Sequence, residues 1–181
     1  MVCKIDVSGK YNELIKRKKL LLRTTIALRH TTIDLIYMNK ILALFKSQVG
    51  NDSSKSISPL MRWLNPVLIN AEEGELEFSY VIREDMTNPM GILHGGTTAA
   101  IIDDAVGAAV YSLGKPNLYT TVNLAVDYFA SAKVGDTIIA ITSIVKNGNR
   151  IVNTSCEIWN ADRTRLIAKG HSNLIKLEDN R

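Results

Sequence analysis

The hydrophobic pattern divides the chain into one long apolar stretch and a set of alternating ones. Glu75 to Arg83 alternates strictly, with Leu76, Phe78, Tyr80 and Ile82 on one face and Glu75, Glu77, Ser79 and Arg83 on the other. That period of two predicts a half-buried strand. Next comes Met86 to Leu113, turn-prone at Asn88-Pro89, then His94-Gly95-Gly96, then Ala, Ile, Val and Gly interrupted by Asp103 and Asp104. The apolar part is long enough for a helix of four turns or more, and Gly114-Lys115-Pro116 stops it. Lacking a charged face, such a helix is expected to be covered on most sides.

Four strand-like runs follow. Leu118 to Ala130 is expected to place Val122, Leu124, Val126 and Tyr128 on one face. Thr137 to Lys146 is apolar on both faces and belongs in the middle of a sheet. Asn147-Gly148 signals a hairpin. Arg150 to Asn160 turns Val152, Thr154, Cys156 and Ile158 inward, and Thr164 to Leu177 does the same with Leu166, Ala168 and Leu174. The expected class is α+β, an antiparallel sheet wrapped around one long central helix in the order β-α-β-β-β-β.

Before Glu75 the pattern is weaker. Tyr11 to Arg29 has no convincing apolar face. Met38 opens a short amphipathic helix with Ile41, Leu44 and Phe45 at helical spacing. Ser58-Pro59 starts another, with Ser58 as N-cap and Leu60, Trp63 and Leu64 as its buried side.

Charge sharpens this division. The formal net charge of the 181 residues is +4. Residues 1–37 hold eight Lys/Arg against three Asp/Glu, and the remainder holds fourteen against fifteen. The main body is near neutral, so no nucleic-acid partner is expected. Two domains of organisation follow: residues 1–37 as a basic extension outside the fold, and 38–181 as the folded domain. No stretch is apolar enough to span a membrane. Lys16-Arg17-Lys18-Lys19 before Leu20-Leu21-Leu22 resembles a signal start, but Arg23 and Arg29 break it and no small-residue cleavage site follows. Cys3 and Cys156 make neither a metal-ligand spacing nor a disulfide framework. The expectation is a cytoplasmic protein with no metal and no cofactor.

The candidate chemistry lies in the apolar stretch. A carboxylate inside such a helix is costly unless it is paired or has a task. Burial is expected to raise the proton affinity of Asp103 toward a catalytic range. Asp104, about 100° further round, is expected to reach an interface or a backbone partner. Gly95 and Gly96 are expected to leave bare N–H groups at the helix start, where negative charge is stabilised. An acid on the helix and an electropositive helix start suit catalysis at a carbonyl. The plainer readings are that Asn88 forms a turn, His94 shapes the loop and the glycines allow close packing. His171 falls on the outward face of the last strand, His30 has no partner signal, and Cys156 reads as a small core residue.

Asn88, Gly91, His94-Gly95-Gly96 and Asp103 on this element order resemble the hotdog-fold thioesterases, closest to the PaaI-like, phenylacetate-pathway-type subfamily. The resemblance covers roughly Met38 to Leu177. It implies hydrolysis of acyl-CoA thioesters at sites shared between the subunits of a homodimer or a dimer of dimers. By motif it implies Asp103 as general base or nucleophile and the Gly95 N–H as the group polarising the carbonyl. Asn88 is implied to position thioester or water, His94 to support, and Thr121 and Gly96 to lie against the substrate or the attacking water. Water attack and an acyl-aspartyl anhydride both fit these residues. A non-catalytic acyl-CoA-binding regulator is the alternative; it has no need of Asp103, and the extension shows no helix-turn-helix pattern. A hotdog dehydratase or hydratase pairs a histidine and an acid in motifs not found here.

The charge division has a direct test. A chain starting at Met38 should keep the melting temperature and turnover of the full chain. A large drop in either would assign residues 1–37 to the fold.

Overall fold

The computed structural model describes residues 17–18 and 40–178. Arg17 and Lys18 are helical and exposed. The rest of the basic extension, the boundary expected at Met38, Cys3 and His30 lie outside the described residues. Residues 40–47 are helical (α1). There follow α2 (Pro59–Leu64), β1 (Val67–Glu72), β2 (Glu75–Val81), a 3-10 turn at Glu84–Met86, α3 (Gly95–Ser112), β3 (Tyr119–Tyr128), β4 (Thr137–Asn147), β5 (Ile151–Asn160) and β6 (Leu166–Lys176). The six strands form one antiparallel sheet in the order β1-β2-β4-β5-β6-β3. Helix α3 lies across it, touching five of the strands.

Strand β1 is an addition to the expected order. A bulge between Leu68 and Asn70 places its two buried residues, Leu68 and Ala71, three apart. The period of two is therefore absent from the sequence. Gly74 takes a left-handed conformation (φ 73°) in the turn to β2. Strand β2 matches its alternation, with Leu76, Phe78, Tyr80 and then Ile82 buried. Strand β4 is central, as its two apolar faces required. In the β4–β5 hairpin Gly148 has ordinary φ; it is needed because a Cβ would collide with the Ile151 carbonyl oxygen.

Bulges also displace expected core residues. One between Thr121 and Asn123 turns Val122 out to 58% exposure and leaves Thr121, Leu124 and Val126 facing in. Tyr128 is exposed as well. An irregularity between Ile158 and Trp159 makes Ile167 the buried residue where Leu166 was expected. On the helices, Ile41 is buried but Leu44 is exposed. Of the expected buried side of α2 only Leu64 is buried; Leu60 and Trp63 stand at 38% and 40%. Trp63 is held by polar contacts instead: the Arg83 guanidinium lies 5.6 Å from its ring, and its Nε1–H donates to Asp85 at 3.0 Å. None of the described helices is long and apolar enough to cross a membrane.

Helix α3 buries Thr98, Ile101, Ile102, Ala105, Val106, Ala109, Val110 and Ser112, a stripe with helical spacing. The opposite stripe, including Ala99, Ala100, Asp103 and Gly107, is only half-buried, so the described residues cover α3 fully on one side and in part on the other. Its tightest approach is to β6. A Cβ on Gly170 would lie 2.7 Å from Ile102 Cγ2, and Ile102 is fully buried and cannot swing aside. Gly170→Ala should therefore cost about 1–3 kcal/mol of overpacking, and Ile102→Ala in the same chain should recover part of it. Urea denaturation of the two single variants and the double variant measures this. Equal stability of Gly170→Ala and the parent would show that the helix can move off the sheet.

Candidate active site

The loop before α3 is pinned at both ends. His94 N–H donates to the Met86 carbonyl at 3.0 Å, and Leu93 N–H to Ala132 at 2.8 Å. Upstream, Arg83 donates to the Leu64 and Trp63 carbonyls and to Asp85. Asn88 acts within this loop as a turn former. Its Oδ1 accepts from the Met90 N–H (2.9 Å) and the Ile92 N–H (3.4 Å). Gly91 follows at φ 69°. The Asn88 side chain is half-buried, and its amide nitrogen has no acceptor among the described residues.

His94 is the N-cap of α3. Its Nδ1 accepts from the Gly96 N–H at 2.9 Å, which assigns the remaining ring proton to Nε2. This corrects the expectation of two bare N–H groups: Gly96 is occupied by the cap. The Gly95 N–H has no acceptor among the described residues and lies at the positive end of an 18-residue helix. Gly95 also receives Tyr128, whose hydroxyl donates to the Gly95 carbonyl at 2.9 Å, and a Cβ at Gly95 would meet the ring at an ordinary contact distance of 3.6 Å. Sequence reasoning assigned Tyr128 no part here. Its signal was an amphipathic aromatic at the end of an edge strand.

Asp103 lies eight residues into α3, about 12 Å along the axis at 1.5 Å per residue. The structure does not bring it to the Gly95 N–H of its own chain. It does bring it to Thr121, whose hydroxyl donates to Asp103 Oδ1 at 2.8 Å. The bulge in β3 makes this contact, because without it Thr121 would face the other side of the sheet.

Asp104 meets a side chain of its own chain rather than a backbone partner. Its Oδ1 accepts from the Ser58 hydroxyl at 3.2 Å, and its Oδ2 is buried without a partner among the described residues. Burial is the main cause that raises its pKa to about 6; the Asp103 charge adds to this, and the Ser58 bond opposes it. Burial thus raises the pKa of Asp104, a position to which the sequence reading assigned no such effect. No three His, Cys, Asp or Glu side chains gather into a metal-binding group among the described residues.

The Thioesterase superfamily model matches residues 90–167, from the loop through β5 to the start of β6. The chain is 30% identical over 115 residues to a putative esterase, PA0474, of Pseudomonas aeruginosa, spanning 62% of this chain and 86% of that one. The chain belongs to the thioesterase superfamily. It is also 29% identical over 103 residues to human acyl-coenzyme A thioesterase 13, spanning 57% of this chain and 74% of the relative. Among solved structures, the PaaI protein from the phenylacetic acid degradation operon of E. coli superimposes with a TM-score of 0.63 at 18% identity. That match covers 70% of this chain and 89% of that one, so the thioesterase fold here is the hotdog.

The capping geometry separates two uses of His94. His94→Ala should cost about 1 kcal/mol, the usual loss for an N-cap. His94→Asn keeps an acceptor for the Gly96 N–H and should recover most of that stability while removing Nε2–H. Thermal denaturation alongside turnover checks this. If His94→Asn is as unstable as His94→Ala, the cap is not what His94 contributes.

Proposed function

We propose that this thioesterase-superfamily protein hydrolyses acyl-CoA, with Asp103 as the general base. The observation that carries the reading is the Thr121 hydroxyl donating to Asp103 Oδ1 at 2.8 Å. The bond orients the carboxylate, leaves Oδ2 free to take a proton, and leaves the Thr121 lone pairs free to accept from a water. A thioester carbonyl needs little further activation. The water oxygen attacks it, Asp103 takes the water's proton, and the oxyanion is stabilised by a backbone N–H and the helix dipole. The C–S bond then breaks, and the proton passes to the thiolate. The products are a carboxylic acid and free coenzyme A. The human relative named above is an acyl-coenzyme A thioesterase, which supports the choice of substrate class.

The oxyanion donor is the Gly95 N–H of a second copy. Within one chain it is about 12 Å from Asp103, so the reading requires a homodimer or a dimer of dimers. Strand β3 supports this: one of its edges has no strand partner among the described residues, and Val122, Tyr128 and Phe129 are exposed along it. The half-buried small-residue side of α3 adjoins the same edge. Asn88, His94 and Gly96 shape the loop against the substrate. A cytoplasmic setting accords with free Cys156, which is buried and kept protonated, its pKa pushed up to about 12 chiefly by burial.

Asp103→Asn is nearly isosteric and removes the base. Turnover of a panel of acyl-CoAs, read as free thiol, should fall by a factor on the order of 10²–10⁴, with oligomeric state unchanged. Mixing Asp103→Asn chains with Asn88→Ala chains should restore part of the activity, because one composite site then escapes both lesions. Near-normal turnover by Asp103→Asn on its best substrate would remove the base from this scheme, and an active monomer would remove the shared site.

A further inference from the structure

The reaction as drawn uses Asp103 and leaves Asp104 without a task. Asp104 is nonetheless a carboxylate whose burial carries a cost. Ser58 Oγ accepts from the Met61 N–H as the N-cap of α2, so its own proton is directed at Asp104 Oδ1. Asp104 Oδ2 and the hydroxyl of fully buried Tyr80 are also both buried without partners among the described residues. The two are close enough for the Asp104 charge to hold the Tyr80 proton more tightly. Asp103 adjoins it on α3, and Tyr80 on β2 is within electrostatic reach of both Asp104 and Cys156 of β5. Among the described residues no cation bridges it. Tyr80 and Cys156 stay protonated at any working pH, because burial raises both. Of Asp104, Tyr80 and Cys156, Asp104 is thus the one that changes charge near neutrality.

A carboxyl lifted by burial favours the fold most when protonated. The contribution of Asp104 is full below about 3.8 and is lost as the pH rises through about 6. At neutral pH the fold therefore carries an ionised carboxylate that weakens it, next to the proposed base. Such a cost is characteristic of a functional site. Each negative charge of the pair disfavours the other, so an ionised Asp104 favours the arrival of a proton on Asp103.

We propose that Asp104 is a positioning residue for hydrolysis: its ionised carboxylate, held by Ser58, drives the water's proton onto Asp103, and activity follows its ionisation. The inference rests on the thioester-hydrolase reading. Its signature is that turnover and stability move in opposite directions on mild acidification. Between pH 7.5 and 5, kcat should fall while the melting temperature rises.

The test is the pH profile of kcat and KM, with melting temperatures, for the full chain and three variants. Asp104→Asn mimics the protonated form. Its kcat at pH 7.5 should drop about tenfold to a level flat down to pH 5, with KM within twofold, and the acid-side rise in melting temperature should vanish. Ser58→Ala removes a bond that favours the ionised form, so its acid limb should move to higher pH. A histidine titrates in the same range (about 6.5 in the free side chain), so His94→Gln is the third variant and should leave the midpoint in place. A limb that stays put in Asp104→Asn and Ser58→Ala, or that moves only with His94→Gln, overturns the proposal. Loss of turnover in Asp103→Asn with an unaltered Asp104→Asn profile defeats this inference alone. Retained turnover in Asp103→Asn defeats the underlying reading.

Discussion

The structure depends on the contact between one stripe of α3 and the face of the sheet it crosses. Ile101, Ile102, Ala105, Val106, Ala109 and Val110 are excluded from water against β2 and its neighbours. Apolar burial of this kind contributes roughly 25 cal/mol per Å² removed from solvent, and most of the helix's stability comes from it. The contact also fixes the rotation of α3 about its axis. With that angle set, residues one apart diverge by about 100°. Asp103 is delivered to β3 and Thr121, and Asp104 to α2 and Tyr80. Two adjacent carboxylates of the same chemistry thereby acquire different surroundings. The absence of a side chain at Gly170 is part of the same constraint, since it sets how closely the helix approaches β6.

A second constraint acts on the strands. Each bulge changes which residues face the core. In β1 it separates the buried pair by three positions, and in β4 a shift between Ile144 and Lys146 turns Val145 out. The one in β3 matters most for chemistry. It brings a hydroxyl to Asp103 and sends Val122 to the exposed edge, where a second copy is proposed to pair. One backbone irregularity thus serves both the carboxylate and the surface through which the site is proposed to be completed.

The loop between β2 and α3 is held from the helical side of the molecule. Arg83 ties the end of α2 to the 3-10 turn, and the Met86 carbonyl receives the N–H of His94. Helix α2 is therefore attached to the site at two points: through Ser58 to Asp104, and through Trp63, Arg83 and Asp85 to the loop that carries Asn88. Trp63 and Leu60 remain partly exposed because polar bonds orient this short helix together with the packing of Leu64.

The sequence alone determined the long helix, its start at His94-Gly95-Gly96, and the alternating strands β2 and β5. These follow from local regularities: a period of two, a run of small apolar residues, and glycine and proline stops. It also identified Asp103 as a carboxylate out of place among apolar neighbours. Only the tertiary structure decided the rest. Strand β1 and the inward face of β3 were hidden because a bulge inserts a residue, and period-counting fails at that point. The occupation of the Gly96 N–H by His94 depends on a side-chain rotation that no spacing encodes. The raised proton affinity of Asp104 depends on desolvation by Tyr80 and α2, which lie 24 or more residues away in the chain. Local pattern specifies elements; the solvent exposure and partners of a charged group are properties of the packed whole.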